Sequence, residues 1–275
     1  ARLMHKGTQS GISFHRKGIL MVLLDKLMDF LCAYMGDSEA AARIDQYMAN
    51  GIQVRGRDEV NKIVTGVSAS LHFFEKALAL DPDALIVHHS LNMPASIHFD
   101  HIFSRRLRYL WDHDLSLIGY HYLLDSHPDI GNNAQIIKKL GGHVVKPYPP
   151  DGWGWVGEIE GGAERDELLA RCTNIFSHEG IQYPFGSDQV RVVVAVSGSG
   201  APRPSEMGWL IQHGVDLFIT GEPREWNREL FREAGISFVA AGHYYTERTG
   251  IQALSDMLRG CLDLDVEFLD LPNPV

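Results

Sequence analysis

Two adjacent histidines follow a short apolar run near residue 88. The run extends from Ala84 to Val87 and is followed directly by His88 and His89. A continuous apolar run with β-branched residues is typical of a strand buried on both faces, and ligands gather at the carboxyl ends of parallel strands. Successive strand side chains point to opposite faces, so we expect the two histidines to serve two ions, or one ion and one structural hydrogen bond.

Two further predicted strands also stop at residues that can bind metals. Asp125 ends one of them, and His121, four residues earlier, would share its face of that strand. His243 and Glu247 lie four residues apart at a predicted strand-to-helix junction. If the helix begins near His243, both side chains face one side and can share an ion.

These five candidate ligands are His88, His89, Asp125, His243 and Glu247. A mixed set of imidazoles and carboxylates suits Zn²⁺, Fe²⁺ or Mn²⁺ better than Ca²⁺ or a thiolate site. Because carboxylates can bridge, the set could hold two ions about 3.5–4 Å apart, as in two-metal hydrolases. The simpler alternatives are that Asp125 is an ordinary turn residue and that Glu247 is a first-turn glutamate favoured by the helix dipole.

Other polar residues near these strand ends have two interpretations each. His121 could orient a metal ligand or simply pack, and Glu222 could be a general base or a carboxylate at a helix N-terminus. Residues 197–200, a Ser-Gly-Ser-Gly loop, could bind phosphate through backbone N–H groups, but a tight turn is the favoured interpretation. His98 and His101 could reach the site, although loop histidines are more often solvated.

Strands that alternate with helices extend over most of the chain, which predicts parallel α/β layers. The fold class is therefore α/β, with two lobes of mainly parallel sheets and a metal site between them at the strand C-terminal ends. We expect a leader at 1–20, an N-terminal lobe at 21–142, an irregular middle region at 143–189 apart from the main sheet, and a C-terminal lobe at 190–275.

Local patterns predict several of the elements that position these residues. Helical spacing of apolar residues predicts helices at 21–34 and 37–47, and a further helix around 165–176. The apolar residues at 115–124 predict a strand that ends near Asp125.

Composition narrows the class of protein. The 275 residues carry a formal net charge of −10, which disfavours non-specific nucleic-acid binding. Three scattered cysteines form neither a disulfide framework nor a zinc motif, which fits a reducing cytoplasm. No apolar stretch approaches the roughly 20 residues of a membrane span. Residues 1–20 lack the apolar centre of a signal peptide, and we expect an added or poorly ordered leader.

Several segments in a fixed order carry a family resemblance: Asn50-Gly51-Ile52-Gln53-Val54, Leu85-Ile86-Val87-His88-His89, Leu124-Asp125-Ser126-His127-Pro128, Gly131-Asn132-Asn133-Ala134, Phe218-Ile219-Thr220-Gly221-Glu222, Ala241-Gly242-His243, Thr246-Glu247-Arg248, and Phe268-Leu269-Asp270-Leu271-Pro272-Asn273-Pro274. On these segments the chain, from about Met21 to its last residue, resembles the short bacterial members of the Nif-three-like family. Members of that family are often labelled GTP cyclohydrolase I type 2 homologues.

The resemblance implies a dinuclear metal site on the same five ligands, two α/β domains, and a ring-shaped homohexamer whose metal sites face an internal cavity. One departure follows the histidine pair, where residues 90–94 replace the bulky or aromatic residue and the basic or polar loop that are usual in similar sequences. If that loop contacts substrate, we expect substrate choice to differ from that of relatives.

The function we expect is metal-assisted hydrolysis of a small, nucleotide-like substrate by water activated between two divalent ions of Fe, Zn or Mn. The family label implies opening of the guanine imidazole ring of GTP. Glu222 and His121 are the candidates for moving protons. The alternative is a metal-binding regulatory or scaffold protein without turnover, and nucleic-acid binding is disfavoured by the net charge.

Overall fold

The computed structural model describes residues 13–16, 19–93, 98–149 and 152–275. Of the expected leader, residues 1–12, 17 and 18 lie outside the described residues. Two other positions considered above do so as well, Pro94 in the loop after the histidine pair and Pro150 in the expected middle region.

The described residues form a mixed α/β structure, which confirms the predicted fold class. The strands are β1 Ser13–Arg16, β2 Ile19–Leu23, β3 Asn50–Val54, β4 Glu59–Val60, β5 Lys62–Ser68, β6 Ala84–His89, β7 Ser116–Tyr120, β8 His143–Tyr148, β9 Gly154–Glu164, β10 Ile181–Tyr183, β11 Gln189–Val196, β12 Leu217–Thr220, β13 Ser237–Ala240 and β14 Asp265–Phe268. The helices are α1 Leu24–Met35, α2 Ser38–Ala41, α3 Leu71–Leu78, α4 His101–Asp112, α5 Tyr122–Asp125, α6 Asn132–Lys139, α7 Arg165–Phe176, α8 Met207–Gln212, α9 Asn227–Ala234 and α10 His243–Leu262.

A five-stranded sheet carries the histidine pair. Its order is β14-β5-β6-β7-β3, in which β3 is antiparallel to β7 and the other neighbouring strands are parallel. Val87 of β6 is paired with Gly66 of β5 and Gly119 of β7. The carboxyl ends of these three strands therefore meet at one edge, where His88 and His89 end β6.

A six-stranded sheet has the order β10-β13-β12-β11-β9-β8. Strands β11, β12 and β13 are parallel, whereas β8, β9 and β10 add antiparallel pairs. Residues 143–189, which we expected to lie apart from the main sheet, thus supply β8, β9 and β10 of this sheet. Strand β9 pairs with β11 through an irregular register, with a shift between Val190 and Val192. The helix expected around residues 165–176 is α7.

Helices α6 and α10 join the two sheets. Ile251, Leu254 and Leu258 of α10 pack in the core of the five-stranded sheet, and Ile136 and Ile137 of α6 pack in that of the six-stranded sheet.

The two helices touch where α6 begins. The backbone N–H of Gly250 donates to Asn132 Oδ1 over 2.7 Å, and a Cβ at Gly250 would lie 2.6 Å from that oxygen. This close approach fixes the first turns of α10 beside the start of α6.

Strand β7 is shorter than the sequence predicted. The expected strand at 115–124 ends at Tyr120, the chain turns at His121, and Asp125 lies on the short helix α5. His121 and Asp125 therefore do not share a strand face. The turn occurs because Asp45 accepts hydrogen bonds from the His121 ring and from the Tyr122 backbone N–H.

Two predicted N-terminal elements also differ. The helix expected at 37–47 is limited to α2, because Asp45 accepts bonds from Met48 and Asn50 and holds the following residues in turns. The helix expected at 21–34 begins only at Leu24, since β2 continues to Leu23. Part of the expected leader, Ser13–Arg16, pairs with β2 in an antiparallel hairpin. Among the described residues, none of the helices combines the length and apolarity needed to cross a bilayer.

Candidate metal centre

A cavity of about 750 Å³ opens where strand ends of the two sheets face each other. Its wall includes Ser68 and His89 at the ends of β5 and β6, and Val196 at the end of β11. The candidate residues His121, Asp125, His243 and Glu247 also line it.

We call the candidate ligands that meet at this cavity the metal cluster: His88, His89, His121, Asp125, His243 and Glu247. His88 and His89 both reach this cluster. Their ring centroids are 4.7 Å apart. Alternation along a strand predicted opposite faces, yet both rings reach the cluster. The β6–β7 pairing ends at Val87 and Gly119, whereas His89 is still paired with Ser68 of β5. His89 Nε2 lies 3.0 Å from Glu247 Oε2, and its Nδ1 is 3.2 Å from Ser68 Oγ.

The His88 ring has a defined orientation. Its side chain is fully buried, and its Nδ1 lies 2.9 Å from the Tyr120 carbonyl oxygen. Because a carbonyl only accepts, Nδ1 donates its proton there, and Nε2 faces the carboxylates. Nε2 lies 3.6 Å from both Asp125 Oδ2 and Glu247 Oε1, and it is buried without a hydrogen-bond partner among the described residues. A buried polar atom of this kind normally has a partner.

His121 joins the cluster through a carboxylate that the sequence interpretation missed. Its Nδ1 donates to Asp45 Oδ2 over 2.7 Å, and the ring centroid is 4.8 Å from that of His88. Burial raises the pKa of Asp45, but the hydrogen bond and charge of His121 outweigh it, so the pKa lies below its ordinary value. A carboxylate behind an imidazole fixes the tautomer with the other ring nitrogen toward an ion. No strand end or motif marks Asp45 in the sequence.

Asp125 lies on α5 and is only 4% exposed, so it is not a surface turn residue. Its Oδ1 accepts hydrogen bonds from Asn132 Nδ2 over 2.9 Å and from Ser197 Oγ over 3.0 Å. Oδ2 is left to face His88 Nε2. The same Asn132 accepts from Gly250, and thus the contact between α6 and α10 also places Asp125.

Helix α10 begins at His243, and Glu247 lies one turn later. His243 Nδ1 lies 2.5 Å from Glu222 Oε1 and its Nε2 lies 3.1 Å from Glu247 Oε2. Glu247 is 4% exposed, and its Oε2 has no hydrogen bond of acceptable geometry among the described residues. Glu222, which we considered as a general base, therefore contacts the proton-bearing side of His243.

The charges of the cluster favour a cation. Burial lowers the pKa of His88, but the carboxylates of Asp125 and Glu247 raise it to about 9. Burial likewise opposes the rise for His243, where Glu247 and Glu222 raise the pKa to about 9. For Glu247, burial raises the pKa, yet the neighbouring histidines hold it well below its usual range.

Two groups of side chains have ligand atoms within 4.8 Å of one another. They are His88, His89 and His121, and His89, His243 and Glu247. Imidazole nitrogens and carboxylate oxygens at this spacing fit first-row divalent ions. With the unpartnered His88 Nε2 and Glu247 Oε2, these residues fit a metal.

The remaining candidates lie elsewhere or have another role. His98 and His101 are exposed and belong to neither group. Residues 197–200 form the tight turn that the sequence favoured, with the Gly200 N–H donating to the Ser197 carbonyl over 3.3 Å. This turn lies against the cluster, since a Cβ at Gly198 would be 2.3 Å from Glu247 Oε1.

Comparisons with known proteins agree with the resemblance found in the sequence. The family model described as Duf34/NIF3 (NGG1p interacting factor 3) matches residues 27–274. A protein of Escherichia coli strain K12, called GTP cyclohydrolase 1 type 2 homolog, is 38% identical over 242 residues, which is 85% of this chain and 94% of that protein. A protein of Salmonella typhimurium with the same name is 39% identical over 245 residues, 87% of this chain and 96% of its own.

Solved structures show the same fold. The structure titled protein ybgI, unknown function, has a TM-score of 0.81 and 36% identity, and covers 92% of this chain and 100% of its own. A crystal structure from Thermus thermophilus has a TM-score of 0.79 and 30% identity, with the same coverage of 92% and 100%.

Proposed function

The chain belongs to the Duf34/NIF3 family, and we propose that it is a metal-dependent hydrolase acting on a small, nucleotide-like substrate. The observation that carries the proposal is a pair of buried polar atoms, His88 Nε2 and Glu247 Oε2, that have no hydrogen bond of acceptable geometry among the described residues and lie within the histidine and carboxylate cluster. Leaving such atoms without a partner costs roughly 1–3 kcal/mol each, and a bound cation removes that cost.

In this proposal two divalent ions of Fe, Zn or Mn are held by His88, His89, Asp125, His243 and Glu247. His121 is a sixth potential ligand, because it belongs to one of the two groups. Ions bound there would act as Lewis acids and lower the pKa of a coordinated water. The protein contributes the orientation of each ligand through the Tyr120 carbonyl, Asp45, Glu222 and the pair Asn132 and Ser197.

Glu222 and His121 are the proposed proton carriers. The Glu222 side chain is 28% exposed and contacts His243 Nδ1, so it can exchange a proton with solvent while staying hydrogen-bonded to the cluster. His121 lines the cavity, and Asp45 holds its Nδ1 proton, so its Nε2 can accept or donate a proton only while it does not bind an ion. His121 is within reach of a substrate in the cavity, the first requirement for acid–base work. Glu222 does not line the cavity and would act through His243, the lining residue that it contacts.

The proposed substrate is taken from the names of the relatives, and the proposed compartment from the cysteine content. GTP is the first substrate to test because the curated relatives are called GTP cyclohydrolase 1 type 2 homologs. We also propose a homohexamer, which size-exclusion chromatography with light scattering would test. Three unpaired cysteines suit the cytoplasm.

The deciding experiment is elemental analysis of protein purified without added metal. We expect about two ions per chain, fewer in His243→Ala, and no change in His72→Ala, whose exposed histidine on α3 lies outside both groups. A hydrolase screen starting with GTP follows, and a chelator should abolish any activity found. If the protein neither contains metal nor takes up Fe²⁺, Mn²⁺ or Zn²⁺, the hydrolase proposal fails.

A second candidate is a metal-binding regulatory or scaffold protein, and the family description, which names an interacting factor, favours it. A scaffold would bind metal but turn over no substrate. It would also keep its partner after the ions are removed, whereas the hydrolase would lose its activity.

A further inference from the structure

Arg106 lies on the inward face of α4. It is three residues after Phe103 and four before Leu110, so helical spacing puts the three side chains on one face. Phe103 is 8% exposed and Leu110 is fully buried. This face packs toward the core of the five-stranded sheet. Arg106 itself is half-buried, with its Nε buried, and a buried part of a charged side chain normally has a partner.

Arg106 has no such partner. Its Nε is buried and without a hydrogen bond, and no ion pair joins Arg106 to any residue that the structure describes. Several other arginines form ion pairs, as in the contacts of Arg57 with Asp83 over 2.9 Å and Arg171 with Glu167 over 2.6 Å. An ordinary structural role, a buried ion pair, therefore does not account for Arg106.

The same side chain lines the cavity of the metal cluster. The carboxylates that line this cavity have other partners, since Asp125 and Glu247 face the histidines and Glu206 accepts from the Arg203 backbone N–H. A fork of N–H donors that opens into a cavity of about 750 Å³ matches an oxyanion of a ligand. The volume lies in the range of small-molecule sites, roughly 300–1,000 Å³.

Two further lining residues favour a ligand that combines an anionic group with a planar ring. Arg203, which is exposed, adds a second cation to the cavity wall. Trp153 packs edge-to-face on His121, with ring centroids 5.2 Å apart, and also lines the cavity. Indole faces stack on planar rings.

We propose that Arg106 binds a phosphate group of the substrate in the cavity that holds the metal cluster. The inference rests on the proposed function for the identity of the site, and it deepens that function by assigning the residue that selects phosphorylated over unphosphorylated substrates. Arg203 contributes less than Arg106, because water screens an exposed cation.

The test compares Arg106→Gln with Arg105→Gln. Arg105 is the preceding residue of α4, is exposed, and does not line the cavity, so its replacement removes the same charge from the same helix. Inorganic pyrophosphate is titrated into the full chain as purified, and the heat of binding is measured. We expect Arg106→Gln to weaken binding by about 10- to 100-fold and Arg105→Gln by no more than about twofold.

A second measurement separates ligand binding from a structural role. Because the Arg106 Nε is buried without a partner, Arg106→Met should raise the melting temperature of the ligand-free protein by about 2–4 °C. A structural arginine would give a fall instead, and that result would overturn the proposal.

The outcomes distinguish this proposal from the hydrolase proposal. If Arg106→Gln alone loses pyrophosphate binding and no substrate is turned over, the phosphate-binding role of Arg106 is supported and the hydrolase proposal is rejected. If a phosphorylated substrate is turned over but both variants bind pyrophosphate equally, the phosphate-binding role of Arg106 is rejected and the hydrolase proposal stands. Absence of pyrophosphate binding to the wild-type chain at millimolar concentrations also overturns the role of Arg106.

Discussion

Gly198 offers the sharpest test of the metal cluster, because its replacement by alanine puts one methyl group against a proposed ligand. The added Cβ would lie 2.3 Å from Glu247 Oε1 and 3.1 Å from His243 Nε2. Real Cβ atoms essentially never approach closer than 3.0 Å, so one side must move by most of an ångström. Glu247 is buried between histidines and has little room to move away.

The expected loss of metal affinity follows from that displacement. Metal–ligand distances tolerate about ±0.2 Å, and a misplacement of about 1 Å in a site costs on the order of 100-fold. We therefore expect Gly198→Ala to weaken binding of the ion held by Glu247 at least about 100-fold, which is about 2.7 kcal/mol.

The control for backbone strain is the variant Gly214→Ala. Gly198 has φ +60° and Gly214 has φ +62°, but a Cβ at Gly214 would meet nothing within 4 Å. Each alanine costs roughly 1–2 kcal/mol of stability through its left-handed backbone, so both variants should melt lower than wild type. Only Gly198→Ala should also lose metal.

The assay is competition for Zn²⁺ with a chromophoric chelator, with melting temperatures of the metal-free proteins measured in parallel. Equal Zn²⁺ affinity in Gly198→Ala and Gly214→Ala would refute the reasoning. It would mean that Glu247 is not a ligand, or that the turn relaxes without disturbing it.

Three other predictions use different observations. Asp45→Asn should weaken Zn²⁺ binding in the same competition assay by about 10- to 100-fold, because the amide no longer provides the negative charge that holds the His121 Nδ1 proton; wild-type affinity would contradict this role. Burial raises the pKa of the Cys172 thiol to about 12, so a disulfide reagent at pH 8 should titrate two thiols in the native chain, exposed Cys32 and Cys261, and three after denaturation, whereas three fast thiols would show that Cys172 is accessible. Removing the ions with a chelator should lower the melting temperature by about 8–16 °C for each ion that is present at about 1,000 times its Kd, and an unchanged melting temperature would argue against tight binding to the folded chain.

The residues that could be predicted from sequence lie where strands or helices end. His88 and His89 follow an unbroken apolar run, and His243 precedes Glu247 by one helical turn. At such places the local pattern determines both the element and the position of its last side chain. Local patterns also made the α/β class predictable, because strands and helices alternate along most of the chain.

The residues that could not be predicted act through contacts between segments distant in sequence. Asp45 reaches His121 across 76 positions, and Ser197 reaches Asp125 across 72. No local pattern contains such pairs. The contact of Asp45 with His121 is also the reason why β7 ends at Tyr120 and not near Asp125. The pairing of the middle region with the C-terminal strands could not be predicted for a related reason, since the register of β9 on β11 is not visible in the composition of either segment.

Arg106 lies between these two cases. Its spacing from Phe103 and Leu110 is visible in the sequence and places it on a buried helix face. The pattern could not show whether an acidic residue would pair with it, because that depends on which segments pack against α4. Among the described residues, Arg106 faces a cavity and pairs with no carboxylate. The buried Nε of a cation on such a helix position, without an acidic partner, retains an uncompensated desolvation cost. An anionic ligand would offset that cost. This is why Arg106→Gln should weaken pyrophosphate binding, whereas Arg106→Met, which removes the buried polar atom, should stabilise the ligand-free chain.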